Sequence, residues 1–204
     1  MTATAPIGAR ERNRLRTRQR IVEAAVELHT TVGPARTTVL GIAERAGVQR
    51  HTVYAHFPDE TAILRACTAH WFALNPLPDH ERWAAVAAFD DRVEAAIGDV
   101  YSYWERTAGD LLPVLADAGR VEAMSEAVGL WRERMDAWVD AAIGGHRARG
   151  ARRTRLRAAL RHALALETWR SLTAPGGLSR PEAVRLMADM VRLAERPRRG
   201  ATRS

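Results

Sequence analysis

Cysteine is almost absent: Cys67 stands alone in 204 residues. That excludes an intramolecular disulfide framework and any thiolate metal cluster. Lysine is missing altogether, so all 31 basic residues are arginine. The bias reflects the GC-rich codons of arginine and by itself says little about function. No run reaches the roughly 18 apolar residues of a membrane-spanning helix. The arginine-rich N-terminus lacks a following apolar stretch, so a secretory leader is not expected. Common catalytic signatures are missing too: there is no glycine-rich phosphate loop, no His-Glu-x-x-His and no Gly-x-Ser-x-Gly. Cys67, between Ala66 and Thr68, reads as structural, and neither His80-Glu81 nor His162 with Glu167 is diagnostic. An all-α enzyme is therefore the least favoured class. No cofactor, metal or membrane contact is expected, and the expected compartment is the cytoplasm.

What is present describes an ordinary globular chain, 47 % hydrophobic and 27 % charged. Its length allows one or two domains and a core that needs no staple. The net charge is +7, unevenly spread. Residues 1–65 carry ten arginines and six acids, residues 79–140 six arginines and fourteen acids, and residues 145–161 seven arginines and no acid. A basic head before an acidic body suggests that only part of the chain meets a polyanion.

Periodicity is helical nearly throughout, with no alternating strand pattern. The expectation is all-α, about nine helices. Residues 1–16 read as a disordered arm carrying Arg10, Arg12, Arg14 and Arg16. Thr17 opens a helix through Ile21, Ala25, Leu28 and Val32, ended by Gly33-Pro34. A second, capped by Thr37 or Thr38, runs to Ala46, and a third runs from Gln49 to His56, which closes a three-helix domain at 17–58. Asp59 caps a linking helix at 59–74. Asn75-Pro76-Leu77-Pro78 cannot continue it. Beyond lie helices at 82–107, 111–118 (interrupted near Pro113), 121–143, 154–172 and 179–196. The last opens on a Ser179…Glu182 capping box. Residues 59–196 form the larger helical domain, and 197–204 a disordered tail.

The segment with chemistry is 37–57, TTVLGIAERAGVQRHTVYAHF. Two short helices meet at Gly47, where glycine permits a tight turn. Ala43 allows close approach, and Ile42, Val48 and Val53 supply a core. The second helix is left with an outward face of Gln49, Arg50, His51, Thr52, Tyr54 and His56. That face has donors, cations and aromatics but no carboxylate. Such a helix fits the DNA major groove. An αα-hairpin with a solvated polar face remains the alternative.

This pattern resembles the TetR/AcrR-type bacterial transcriptional regulators. Gly33, Thr37, Thr38, Ile42, Ala43, Ala46, Gly47, Val48, Tyr54, His56 and Phe57 match over residues 17–65. The resemblance implies a helix-turn-helix domain joined to an effector-binding and dimerisation domain. It further implies a homodimer on a palindromic duplex operator, and a repressor released by an unknown small molecule. A regulator without an effector, or an activator, stays open. Carried over residue by residue, it implies phosphate contacts from Thr38, Tyr54 and His56 and base-edge contacts from Gln49, Arg50, His51 and Thr52. Arg50 suits guanine O6 and N7, or clamps a phosphate. Two positions depart from the family pattern: Gln49 stands where a capping serine is common, and Glu60 where a phosphate-binding lysine is common. The arm and Arg36 offset that loss.

In the larger domain, Phe89, Val93, Ile97, Val100, Tyr101 and Trp104 fall on one helix side, and Met124, Trp131, Met135 and Trp138 on another. These stripes are either plain core or the walls of an effector pocket, with Tyr101, Tyr103, His162 and Glu167 either orienting the ligand or standing as rim residues or satisfied core polar groups. Leu156, Leu160, Leu164, Val184, Met187 and Val191 are expected dimerisation positions. The arginine run at 147–161 is a second anion contact, a ligand clamp, a solvated loop or a partner for the acidic body.

Overall fold

The computed structural model describes residues 8–196; the expectations for residues 1–7 and for the tail 197–204 lie outside the described residues. Every regular element described is helical. The α-helices are α1 (Ala9–Thr31), α2 (Val39–Ala46), α3 (Arg50–His56), α4 (Glu60–Leu74), α5 (Glu81–Ala84), α6 (Phe89–Ala116), α7 (Ser125–Ile143), α8 (Gly150–Ala163), α9 (Leu166–Thr173) and α10 (Arg180–Glu195). Short 3-10 turns at Pro34–Arg36 and Glu122–Met124 precede α2 and α7. No described helix is long and apolar enough to cross a membrane.

The helices form two compact units. The first comprises α1–α4 with Gly109–Gly129. Its core joins Ile21 and Ala25 of α1, Ile42 of α2, Val53 of α3, Phe57, and Ile63 and Cys67 of α4. The second comprises Leu77–Ala108 and the chain from Leu130 onward. There Ile97 and Trp104 of α6, Trp138 and Val139 of α7, Leu156 and Leu160 of α8 and Val191 of α10 are all buried. Helices α6 and α7 each contribute residues to both units.

Several boundaries differ from the sequence expectation, each for a local reason. Residues 9–16 are helical, not a disordered arm. Arginine and glutamate are good helix formers, and Glu11 lies in the first turn and pairs with Arg14 at 3.1 Å. Pro113 does not interrupt its helix: α6 runs through it, forgoing the bond that a residue-113 N–H would give Gly109. The expected helix 82–107 is instead broken at 85–88, where Arg92 draws the carbonyls of Val86 and Ala87 to its guanidinium, both at 3.0 Å. The expected helix 154–172 splits after Ala163, where the Leu164 carbonyl accepts from Trp104 Nε1 at 3.1 Å.

Candidate nucleic-acid interface

The first unit builds one exposed helix on a rigid support. Thr38 caps α2, its hydroxyl oxygen accepting from the Gly41 N–H at 3.0 Å. That leaves the hydroxyl proton available to an outside acceptor. The helix ends on Gly47 in the left-handed conformation, φ 63°. Val48 N–H closes back on the Ala43 carbonyl at 2.9 Å, a Schellman-type end that fixes the exit direction. Gln49 takes the N-cap position of α3 in extended geometry, and its side chain caps nothing. Val53 and Phe57 bury one side of α3; Gln49, Arg50, His51 and Tyr54 are exposed on the other, with Thr52 and His56 half-buried.

Two arginines of α1 fasten this arrangement, and sequence reasoning misses both. Arg20 Nη2 donates to the carbonyls of Ala46 and Gly47, the latter at 2.9 Å, and so holds the turn. Arg18 Nη1 donates to the His56 carbonyl at 3.2 Å, and its guanidinium lies 4.1 Å from the Phe57 ring centroid. In the sequence they count only as positive charge. The available signal is their two-residue spacing just before the buried Ile21.

Arg50 and Tyr54, one turn apart, are already engaged with each other. Arg50 Nη2 donates to the Tyr54 hydroxyl at 3.3 Å and its guanidinium lies 5.6 Å from the ring centroid. Burial, then Arg14 and Arg18, push the His56 pKa down. His56 Nδ1 is buried without a partner, so an outside contact falls to Nε2, as donor or acceptor according to the tautomer. Arg36 is exposed, with Nε tied to the Val32 carbonyl at 2.7 Å. The turn before α2 is pinned from the far end of α6: Asp117 Oδ2 accepts from Ala35 N–H at 2.9 Å. Gly33, at φ 88°, leaves no space there, since a β-carbon would sit 2.5 Å from that carboxylate. Helix α4 is held by Trp71 Nε1 to Asp110 at 2.9 Å and by Arg65 to Glu126 at 2.7 Å.

The second unit gathers only part of the expected pocket. Trp104, Trp131 and Trp138 form a mutual cluster with centroids 5.6–6.0 Å apart. Tyr103 sits 6.3 Å from Trp138. Tyr101 and Met135 are buried in the same unit. Met124, however, packs in the core of the first unit, Phe89 lies against His146 at 4.4 Å, and His162 is exposed. The cluster is closely packed, edge to face.

The expected dimerisation residues Leu156, Leu160, Leu164, Val184, Met187 and Val191 are all buried within the single chain, where α8 packs along α10. The apolar residues α10 leaves exposed are Leu186 (42 %), Met190 (47 %) and Leu193 (60 %). In the arginine run, Arg152 pairs with Glu195, Arg157 with Asp136 and Asp140, and Arg161 with Asp136.

Residues 21–67 match the model of the bacterial regulatory proteins, tetR family. The chain is 40 % identical over 76 residues to the HTH-type transcriptional regulator SrpR of Pseudomonas putida, which covers 34 % of this chain and 36 % of SrpR. It is equally similar to an uncharacterized HTH-type transcriptional regulator, TtgW, also of Pseudomonas putida, over 34 % of this chain and 57 % of TtgW. The chain thus spans about a third of one relative and little over half of the other. Over most of its length the chain has a fold similar to that of NalD, the secondary repressor of the MexAB-OprM multidrug efflux pump in Pseudomonas aeruginosa. That match has a TM-score of 0.60 at 17 % identity, over 90 % of this chain and 97 % of NalD. At that identity the likeness is one of fold.

Proposed function

We propose that the chain, whose residues 21–67 match the model of the bacterial regulatory proteins, tetR family, is a sequence-specific DNA-binding transcriptional repressor acting as a cytoplasmic homodimer. The observation that carries this reading is the exposed, carboxylate-free face of α3, braced from behind by Arg18 and Arg20. Helix α3 enters the major groove; Gln49, Arg50, His51 and Thr52 meet base edges, and Thr38, Tyr54, His56 and Arg36 meet phosphates. Thr38 supports its role with a free hydroxyl proton, and His56 with an Nε2 that is not enclosed as its Nδ1 is.

The partner subunit docks through the stripe Leu186, Met190 and Leu193 of α10, which recurs at helical spacing. Two heads related by a two-fold axis then read half-sites about one helical turn, roughly 34–36 Å, apart. An effector held at the aromatic cluster of the second unit lowers operator affinity. Helix α4, with its ties to Asp110 and Glu126, and the Asp117–Ala35 bond are the lever. A hundredfold release needs a coupling of about 2.7 kcal/mol, which a ligand supplies only by binding the two shapes unequally.

Selection of bound duplex from a random library tests the reading. A palindromic motif bound by a dimer is the expected result. A monomer by light scattering at micromolar concentration, or recovery of no motif, refutes it. Loss of operator binding at low concentrations of a ligand marks a released repressor; a motif with no ligand response marks a regulator without an effector.

A further inference from the structure

Helix α3 is seven residues long, about 10 Å from end to end. A helix so short is not stable by itself and takes its orientation from what holds it. Its apolar anchors sit toward one end: Val53 is its buried residue, and Phe57, just beyond its last residue, is the other. The opposite end carries Gln49, Arg50, His51 and Thr52. There Val48 is only half-buried, and the Gln49 side chain caps nothing. What holds that end is Arg20. Its Nη2 donates to the carbonyls of Ala46 and Gly47, the two residues that turn the chain from α2 toward α3. The end of α2 leaves such carbonyls without a helical partner, and a guanidinium there also meets the negative end of the helix dipole. Positions 18 and 20 point about 200° apart around α1, and the two arginines reach opposite ends of α3: Arg18 holds the far end through the His56 carbonyl.

We propose that Arg20 is a positioning residue for base reading: it meets no DNA, and its grip on the Ala46 and Gly47 carbonyls fixes the direction in which Gln49, Arg50, His51 and Thr52 are presented. The proposal rests on the DNA-binding reading above and adds a residue on which its specificity depends. Base edges are read by hydrogen bonds whose geometry admits little error, whereas phosphate contacts carry no sequence information. A loosened α3 therefore loses operator affinity in proportion to the time it spends outside the reading orientation. Non-specific duplex is held by charge and is indifferent to that orientation. Arg20 differs in this from an arginine that clamps a phosphate, whose loss weakens every duplex alike and makes the salt dependence shallower.

The test uses the full-length protein, the operator recovered by selection and a scrambled duplex of the same length. Affinity for each is measured by fluorescence anisotropy over a range of salt, for the parent, Arg20→Gln, Arg20→Lys and Arg18→Gln. Arg20→Gln is expected to lower operator affinity by about 10-fold, to change affinity for the scrambled duplex by less than about 2-fold, and to keep the operator's salt slope. Arg20→Lys keeps the charge and most of the stem, so its fold is secure. Its ammonium ends one bond short of Nη2 and is more strongly hydrated, and discrimination between the duplexes is expected to fall by at least about 3-fold. Arg18→Gln is expected to lose less than Arg20→Gln, because Val53 and Phe57 already anchor its end. In the free Arg20 variants, amide exchange is expected to quicken in α3 and not in α1. Equal losses on both duplexes, with a slope shallower by about 1 per protomer, mark a phosphate contact and overturn the proposal. Full recovery in Arg20→Lys does the same, since charge alone then suffices. So do unchanged discrimination in Arg20→Gln, a loss as large in Arg18→Gln, or exchange that quickens in α1 and α3 together, which marks a loss of stability throughout the unit. If selection recovers no operator, the DNA-binding reading falls and takes this proposal with it; if an operator is recovered and discrimination survives in Arg20→Gln, this proposal alone falls.

Discussion

Protonation of one buried histidine sets an acid limit on the stability of the first unit. His29 of α1 is buried, with Nδ1 3.3 Å from the Cys67 sulfur of α4. Burial lowers its pKa from 6.5 to about 4. Burial pushes the Cys67 thiol up to about 12, so it brings no negative charge to stabilise a protonated ring. Glu60 borders a cavity of about 30 Å3 beside His29, but its carboxylate is solvent-exposed, and water screens its attraction for the ring. As pH falls through 6.5 the unfolded chain takes up a proton that the folded chain refuses. Stability drops with it, until the folded ring also protonates near pH 4. The stabilisation is thus fully present above pH 6.5. The loss is about 2 kcal/mol by pH 5 and about 3 kcal/mol by pH 4, at roughly 1.4 kcal/mol for each tenfold difference in proton affinity between the two states. The comparison is His29→Leu, which removes the titration while Cys67 keeps its bond to the Leu64 carbonyl at 3.2 Å. Other titrating groups act on both proteins, so the informative quantity is the difference between their unfolding free energies, read from amide exchange of α1 across pH 7.5 to 4. That difference is expected to move toward the variant by about 2 kcal/mol between pH 7.5 and 5. A flat difference refutes the reasoning, as does a folded-state His29 that titrates near 6.5 by NMR.

Gly47→Ala is expected to destabilise the first unit by about 1–2 kcal/mol, because an L-residue is held at positive φ; the new β-carbon also meets Arg20 Nη2 at 3.0 Å, and thermal unfolding reads the loss. Arg50→Ala is expected to cost about 1–3 kcal/mol per half-site and to relax preference at one base position. Tyr54→Phe removes the hydroxyl that accepts from Arg50, so in a double-mutant cycle on operator affinity the two substitutions are non-additive; additivity refutes the pairing. Operator affinity is expected to fall with salt at a log–log slope of about −5 if about six phosphates are neutralised per dimer, and a slope near zero contradicts the assignment. Met190→Asp, on the exposed stripe of α10, is expected to give monomers by light scattering with the helical circular dichroism retained.

The sequence by itself determined the all-helical class and the exposed polar face of α3. Those depend on local rules: Gly47 admits a left-handed turn, a threonine at 37 or 38 caps, and Val53 recurs at the spacing that buries one side and leaves Arg50 and His51 outside. A local rule needs only neighbours in the chain, so a linear reading recovers it. The tertiary structure decided what depends on partners distant in sequence. Arg18 and Arg20 look like any surface arginines until α3 and its turn come to rest against α1. The apolar stripes of α8 and α10 carry the same pattern whether they face each other or a second subunit. Only the packed chain spends Leu156 and Val191 internally and leaves Met190 outside. Met124 has the periodicity of the tryptophan stripe, but it closes the core that α1–α4 build, because apolar burial is non-directional and any apolar surface within reach satisfies it. The unpartnered hydroxyls of Tyr101 and Tyr103 are likewise invisible in the sequence, since whether a donor finds an acceptor is settled by what the fold places opposite it.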